Sequence, residues 1–170
     1  MRTRSPLLLS PMIALALACA AVAAAPAAAG EGDHPAPQFA VRTFDGRIFR
    51  MQDLRGKPVV LDFWATWCAP CRASMGHLDH LQERYTRDGL VVLGLSVDED
   101  APASVKRFAE RLGVKDMRLA MADEKLMDQY GPIRMLPTTF FINRRGLVVR
   151  RTVGYLDAET LESYVKELVE

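Results

Sequence analysis

The chain has 170 residues, 49% of them hydrophobic and 25% charged, in the range of one soluble globular domain. Arg2 and Arg4 are the only charges before Glu31; setting them aside, 20 of the 22 basic residues face 21 acidic ones, a formal charge of −1 on the remainder. No basic excess is left to displace counterions from a phosphate backbone, so nucleic-acid binding is not expected.

The first segment, "MRTRSP" followed by "LLLSPMIALALACAAVAAAPAAAG", has a short positive start, an apolar stretch and a small-residue exit. This is the layout of a secretory signal, assigned here to residues 1–29. Three fates are open: cleavage after Ala29, lipidation at Cys19, or retention as a membrane anchor. Each puts the remainder outside the cytoplasm. Residues 30–36 then read as a Gly/Pro-rich linker, and residues 37–170 as the domain.

Within the domain, "FAVRTFDGRIFRM" alternates about Asp45-Gly46 and predicts a β-hairpin. "GKPVVLDFW" predicts a strand buried on both faces. From Cys68 to Arg87 the period becomes helical, with Cys71, Met75, Leu78, Leu81 and Tyr85 on one stripe. A second buried strand, "LVVLGLSVD", precedes a helix over "APASVKRFAERLG" with Val105, Phe108, Ala109 and Leu112 facing inward. "MRLAMA" gives a short third strand and "DEKLMDQYG" a brief helix. "PTTFFIN" and "LVVRRTVG" flank a turn, and "DAETLESYVKELVE" forms a last helix capped by Asp157. Strands alternating with helices and ending in a hairpin give an α/β fold, a mixed sheet with helices on both faces.

The mature domain keeps two cysteines, Cys68 and Cys71, separated by Ala69 and Pro70. A disulfide closing so short a loop stabilises folding little, so the pair points to chemistry. Cys68 opens the helix, where free N–H groups and the helix dipole favour a thiolate. Cys71 lies one turn on, within the apolar stripe. The asymmetry assigns Cys68 as nucleophile and Cys71 as the resolving thiol. Helix geometry argues against a zinc site built with His77 and His80: these lie about 240° and about 180° around the axis from Cys71. Pro137, before the strand "TTFFI", is a candidate cis proline whose predecessor Leu136 could offer backbone groups to an extended peptide. Asp62, inside the otherwise apolar "VVLDFW", is a candidate buried carboxyl with a raised pKa, able to take the proton from the resolving thiol.

"FWATWCAPC", the downstream "LPTTFFINRRG" and the preceding "APQFAVRTFDGRIFRMQDLRGKPVVLDFW" resemble the exported thiol–disulfide oxidoreductases of the TlpA/ResA type, over about Pro37 to Glu170. The resemblance implies a thioredoxin fold with an N-terminal β-hairpin extension, a cis Pro137, and substrate contacts at Trp67, Ala69, Pro70, Leu136 and Pro137. It implies reduction of protein disulfides with no cofactor or metal. The expected partners are protein disulfides, with apocytochrome c as one option, and a membrane electron-relay protein as donor to a monomeric enzyme. Ser74 and Gly76 stand where many members carry glutamate and proline, which leaves the cytochrome c role open. Gly94 stands about where classical thioredoxins place a lysine facing the buried aspartate. Two alternatives are a related thiol peroxidase and a copper-delivery module. The first wants a threonine at position 65, which is Ala65; the second wants a distant histidine, and none follows His80.

Overall fold

The computed structural model describes residues 34–170. The segment read from the sequence as a secretory signal, with Cys19 and Ala29, lies outside the described residues. The described residues form eight strands: β1 (His34–Pro35), β2 (Ala40–Arg42), β3 (Ile48–Arg50), β4 (Val59–Trp64), β5 (Val91–Ser96), β6 (Arg118–Met121), β7 (Thr138–Ile142) and β8 (Leu147–Val153). The helices are α1 (Ala69–Arg84), α2 (Pro102–Arg111), α3 (Glu124–Gln129) and α4 (Ala158–Val169).

Six strands form one sheet in the order β1-β8-β7-β4-β5-β6. β4, β5 and β6 run parallel, as the intervening helices require, whereas β7, β8 and β1 are antiparallel additions. β4 and β5 are central, and every residue of both is buried, which explains their unbroken apolar runs. On one face Val60, Trp64 and Val92 pack with Cys71, Met75 and Leu78 of α1 and Leu161 and Val165 of α4. On the other, Leu61, Phe63, Leu93 and Phe140 pack with Leu126 and Tyr130. Burying each such large side chain contributes about 1.5–3 kcal/mol.

The predicted hairpin is β2–β3, a separate two-stranded sheet. It is fixed to the main sheet by an antiparallel bridge between Thr43 and Ala120, and Phe39 stacks on Phe49 and meets Tyr130 edge-on.

Two sequence expectations need correction. His34 and Pro35, read as linker, pair with Val148 and Leu147 as an edge strand, and Ala36 behind them is buried. A two-residue strand holding a proline has no periodicity to betray it, and an edge is where proline is tolerated. Leu112, expected to face inward, is 39% exposed. It is the C-cap residue of α2, where the chain turns away through Gly113 at φ +83°.

Candidate active site

The reactive pair sits where β4 leaves the sheet. After Trp64 the chain makes one tight turn, closed by the Cys68 N–H donating to the Ala65 carbonyl at 3.1 Å. Cys68 is the N-cap of α1, in extended conformation, and Pro70 occupies the first turn, where no N–H is missed. The Cys71 N–H donates to Cys68 Sγ at 3.2 Å, so the sulfur serves as the capping acceptor of its own helix. The two sulfurs form a disulfide, with Cα atoms 5.3 Å apart. Cys71 is wholly buried against Trp64 and Met75, Cys68 is 5% exposed at the surface, and Trp67 beside it is 69% exposed.

The loop before β7 supplies the opposite wall. The Leu136–Pro137 peptide is cis. Pro137 is buried, its carbonyl accepts from the Gly154 N–H at 2.8 Å, and the Thr138 hydroxyl donates to the Met135 carbonyl at 2.7 Å. The N–H and C=O of Leu136 make none of the hydrogen bonds found among the described residues. Between the walls runs an open groove of ≈ 560 Å³. Trp67, Cys68, Ala69 and Pro70 come from the helix mouth and Ile133, Arg134, Met135 and Leu136 from the loop before β7, and Val97 and Met127 complete the lining. Trp67, Ala69, Pro70 and Leu136, all singled out from the sequence, therefore meet around Cys68. Met127, Ile133 and Met135 were not foreseen. They come from a short helix and a loop, and nothing in their local pattern marks them as facing the cysteines.

Asp62 lies on the face of β4 shared by Val60 and Trp64, the face that packs on α1, and is fully buried. The Thr139 hydroxyl donates to its Oδ1 at 2.8 Å, and Oδ2 has no hydrogen-bond partner among the described residues. Desolvation pushes the carboxyl from 3.8 up to about 7, against the opposing pull of the Thr139 hydrogen bond. Its parallel neighbour is Gly94. No cation balances it there. Ser74 is buried, and its hydroxyl donates to the Pro70 carbonyl at 3.3 Å. Gly76 is exposed on the far side of α1.

A second buried carboxylate, Asp98, went unremarked in the sequence. It follows β5 and accepts from the Thr66 hydroxyl at 2.6 Å, the Thr66 N–H at 3.0 and 3.2 Å, and the Ser96 hydroxyl at 2.7 Å. The one available signal was the polar pair Ser96 and Asp98 closing an apolar strand. Among the described residues no three His, Cys, Asp or Glu side chains converge on one point. His77 is half-buried, and His80 is exposed with Nδ1 3.7 Å from Glu83.

Residues 33–151 match the AhpC/TSA family. The chain is 35% identical over 133 residues to the thiol–disulfide oxidoreductase ResA of Bacillus anthracis, spanning 78% of this chain and 76% of that one. The chain belongs to the AhpC/TSA family and, with ResA, to the thiol–disulfide oxidoreductases. ResA of Geobacillus thermodenitrificans is 33% identical, over 78% of this chain and 75% of its own. Among solved structures, a thiol:disulfide interchange protein of the thioredoxin family from Chlorobium tepidum superposes with a TM-score of 0.74 at 29% identity, covering 81% of this chain and 97% of that one. The exposed lipoprotein thioredoxin of Streptococcus pneumoniae gives 0.69 at 30%, covering 78% and 100%. The enzyme is thus a thiol–disulfide oxidoreductase with a thioredoxin fold, and its disulfide-bonded Cys68–Cys71 pair fits a CxxC motif. The peroxidase alternative fits poorly: Ala65 has no hydroxyl, and that of Thr66 is engaged by Asp98.

Proposed function

We propose that the enzyme works outside the cytoplasm as a reductant of protein disulfides. In the reduced enzyme, the Cys68 thiolate attacks one sulfur of a substrate disulfide. That S–S bond breaks, one substrate thiolate leaves and takes a proton, and a mixed disulfide through Cys68 remains. Cys71 gives its proton to the Asp62 carboxylate and attacks Cys68 Sγ. The second substrate thiol departs, and two electrons have passed from the dithiol to the substrate. The Cys68–Cys71 disulfide is the form left by this turnover. The observation that carries the reading is the inequality of the sulfurs: Cys68 lines the groove and Cys71 is wholly buried behind it, while the buried carboxyl of Asp62 has a pKa near neutral. Such a pKa suits a base that must gain and lose a proton at ordinary pH.

The substrate segment would lie extended along the groove, pairing with the free backbone groups of Leu136 next to cis Pro137, while Trp67, Ala69 and Pro70 contact its side chains. A membrane electron-relay protein would restore the dithiol, and apocytochrome c is one candidate substrate. The apolar N-terminal segment and the exposed-lipoprotein relative support placement at the outer face of a membrane. No helix among the described residues is long and apolar enough to cross one. The enzyme is proposed to act as a monomer.

The test is the reduction potential of the pair in defined thiol buffers, together with insulin reduction. A potential near that of thioredoxin, about −270 mV, is expected; one near −120 mV, about that of a dedicated oxidant, would reverse the direction assigned here.

A further inference from the structure

Asp98 has no part in the thiol chemistry above, yet it is 93% shielded from solvent and sits one strand away from the nucleophile's loop. A buried carboxylate left without donors is costly, so this one is held by what it binds. Its donors are few and specific. Thr66 gives both its N–H and its hydroxyl, the latter at 2.6 Å; Ser96 gives its hydroxyl at 2.7 Å and accepts the Asp98 N–H at 3.1 Å. From the opposite side the Arg72 guanidinium donates to the Thr66 carbonyl at 3.3 Å. Every polar group of Thr66 is therefore engaged, by Asp98 just beyond the end of β5 and by Arg72 of α1.

Thr66 is two residues before Cys68 and directly before Trp67. Trp67 is the most exposed of the large apolar side chains and has no hydrogen-bond partner among the described residues. Its placement over the groove thus depends on the backbone that precedes it. We propose that Asp98, Thr66 and Arg72 form a clamp of positioning residues that holds Trp67 and Cys68 in the geometry needed to engage a protein disulfide. The proposal rests on the disulfide-reductase reading and adds to it the residues that set its productive geometry. Ser96 anchors the clamp by fixing the Asp98 carboxylate from its own strand.

The test compares Thr66→Val, Thr66→Ser and Asp98→Asn with the wild type, all as reduced protein. Reduction of insulin should fall about tenfold or more in kcat/KM for Thr66→Val and Asp98→Asn, mainly through KM, and return to within about twofold in Thr66→Ser, because the serine hydroxyl restores the bond. The reaction with a small aromatic disulfide, which needs no groove, should change much less. Anisotropy decay of tryptophan fluorescence gives a readout independent of activity. Trp64 is wholly buried and reports overall tumbling, so a new fast component in Thr66→Val belongs to Trp67. Arg72→Gln, changed at the exposed end of the clamp, should shift both readouts in the same direction by less. Wild-type insulin kinetics and unchanged anisotropy in Thr66→Val would overturn the clamp, as would a loss that Thr66→Ser does not repair. A wild type that reduces no protein disulfide would instead sink the reductase reading, and the anisotropy would still decide the clamp.

Discussion

Asp62 stands directly opposite Gly94 in the parallel β4–β5 register, and the space a side chain at 94 would enter is already filled. A Cβ there would lie 2.7 Å from Leu119 Cδ2, 2.9 Å from Met117 Cε and 3.2 Å from Trp64 Nε1. The leucine and methionine ends can yield; the buried indole cannot. Gly94→Ala should therefore destabilise the protein by about 1–3 kcal/mol, read as a lower urea midpoint with unchanged slope. Equal or greater stability would mean that the indole has room to move.

Asp62→Asn separates the proton relay from folding. If the carboxylate takes the Cys71 proton, the wild-type rate rises as pH passes about 7, and the variant loses this rise, on the order of a hundredfold above it. Stability should move the other way. Because the folded carboxyl titrates near 7 and the unfolded one near 3.8, the folded state alone holds the proton between these values, so wild-type stability declines as pH rises through that window. Asp62→Asn removes the decline. Its advantage in urea unfolding of the oxidised protein should be absent near the low end of the window and level off above about 7, at no more than roughly 4 kcal/mol.

Cys71→Ala should accumulate mixed disulfides through Cys68, and Cys68→Ala should trap nothing, as mass spectrometry of alkylated adducts would read. Burial decides the expectation: a wholly buried Cys71 cannot meet a substrate disulfide first. Adducts on Cys71 in the Cys68→Ala protein would exchange the two roles.

Gly76→Ala should stabilise the enzyme by roughly 0.5–1 kcal/mol. The position is exposed within α1 and a Cβ would meet no atom within 4 Å, so only the entropy of the glycine is removed. Urea unfolding checks this, and insulin reduction should stay at the wild-type rate.

The central fold was legible because its signals are long: two apolar six-residue strands and a four-turn amphipathic helix leave few alternatives. Cys68 and Cys71 stood out because no other cysteine follows Cys19. What escaped is built from short or distant pieces. β1 has two residues and a proline. The groove's second wall joins α3 and the loop after it to a helix mouth about sixty residues earlier. Asp98 looks like any acid in "SVDED", since its role comes from a parallel strand register that no single segment encodes. Leu112 shows the converse: helical periodicity continues on paper one residue past the point where the chain turns.

The bridge from Thr43 to Ala120 carries a last consequence. An open sheet margin can pair indiscriminately with the strands of other chains. Here the hairpin stands guard along β6, and its Phe44 N–H takes the Leu119 carbonyl at 2.8 Å. On the opposite margin Arg150 and Arg151 place charge on the stretch of β8 that β1 does not cover. Both margins of the main sheet are thus covered or charged against pairing with another chain's strand.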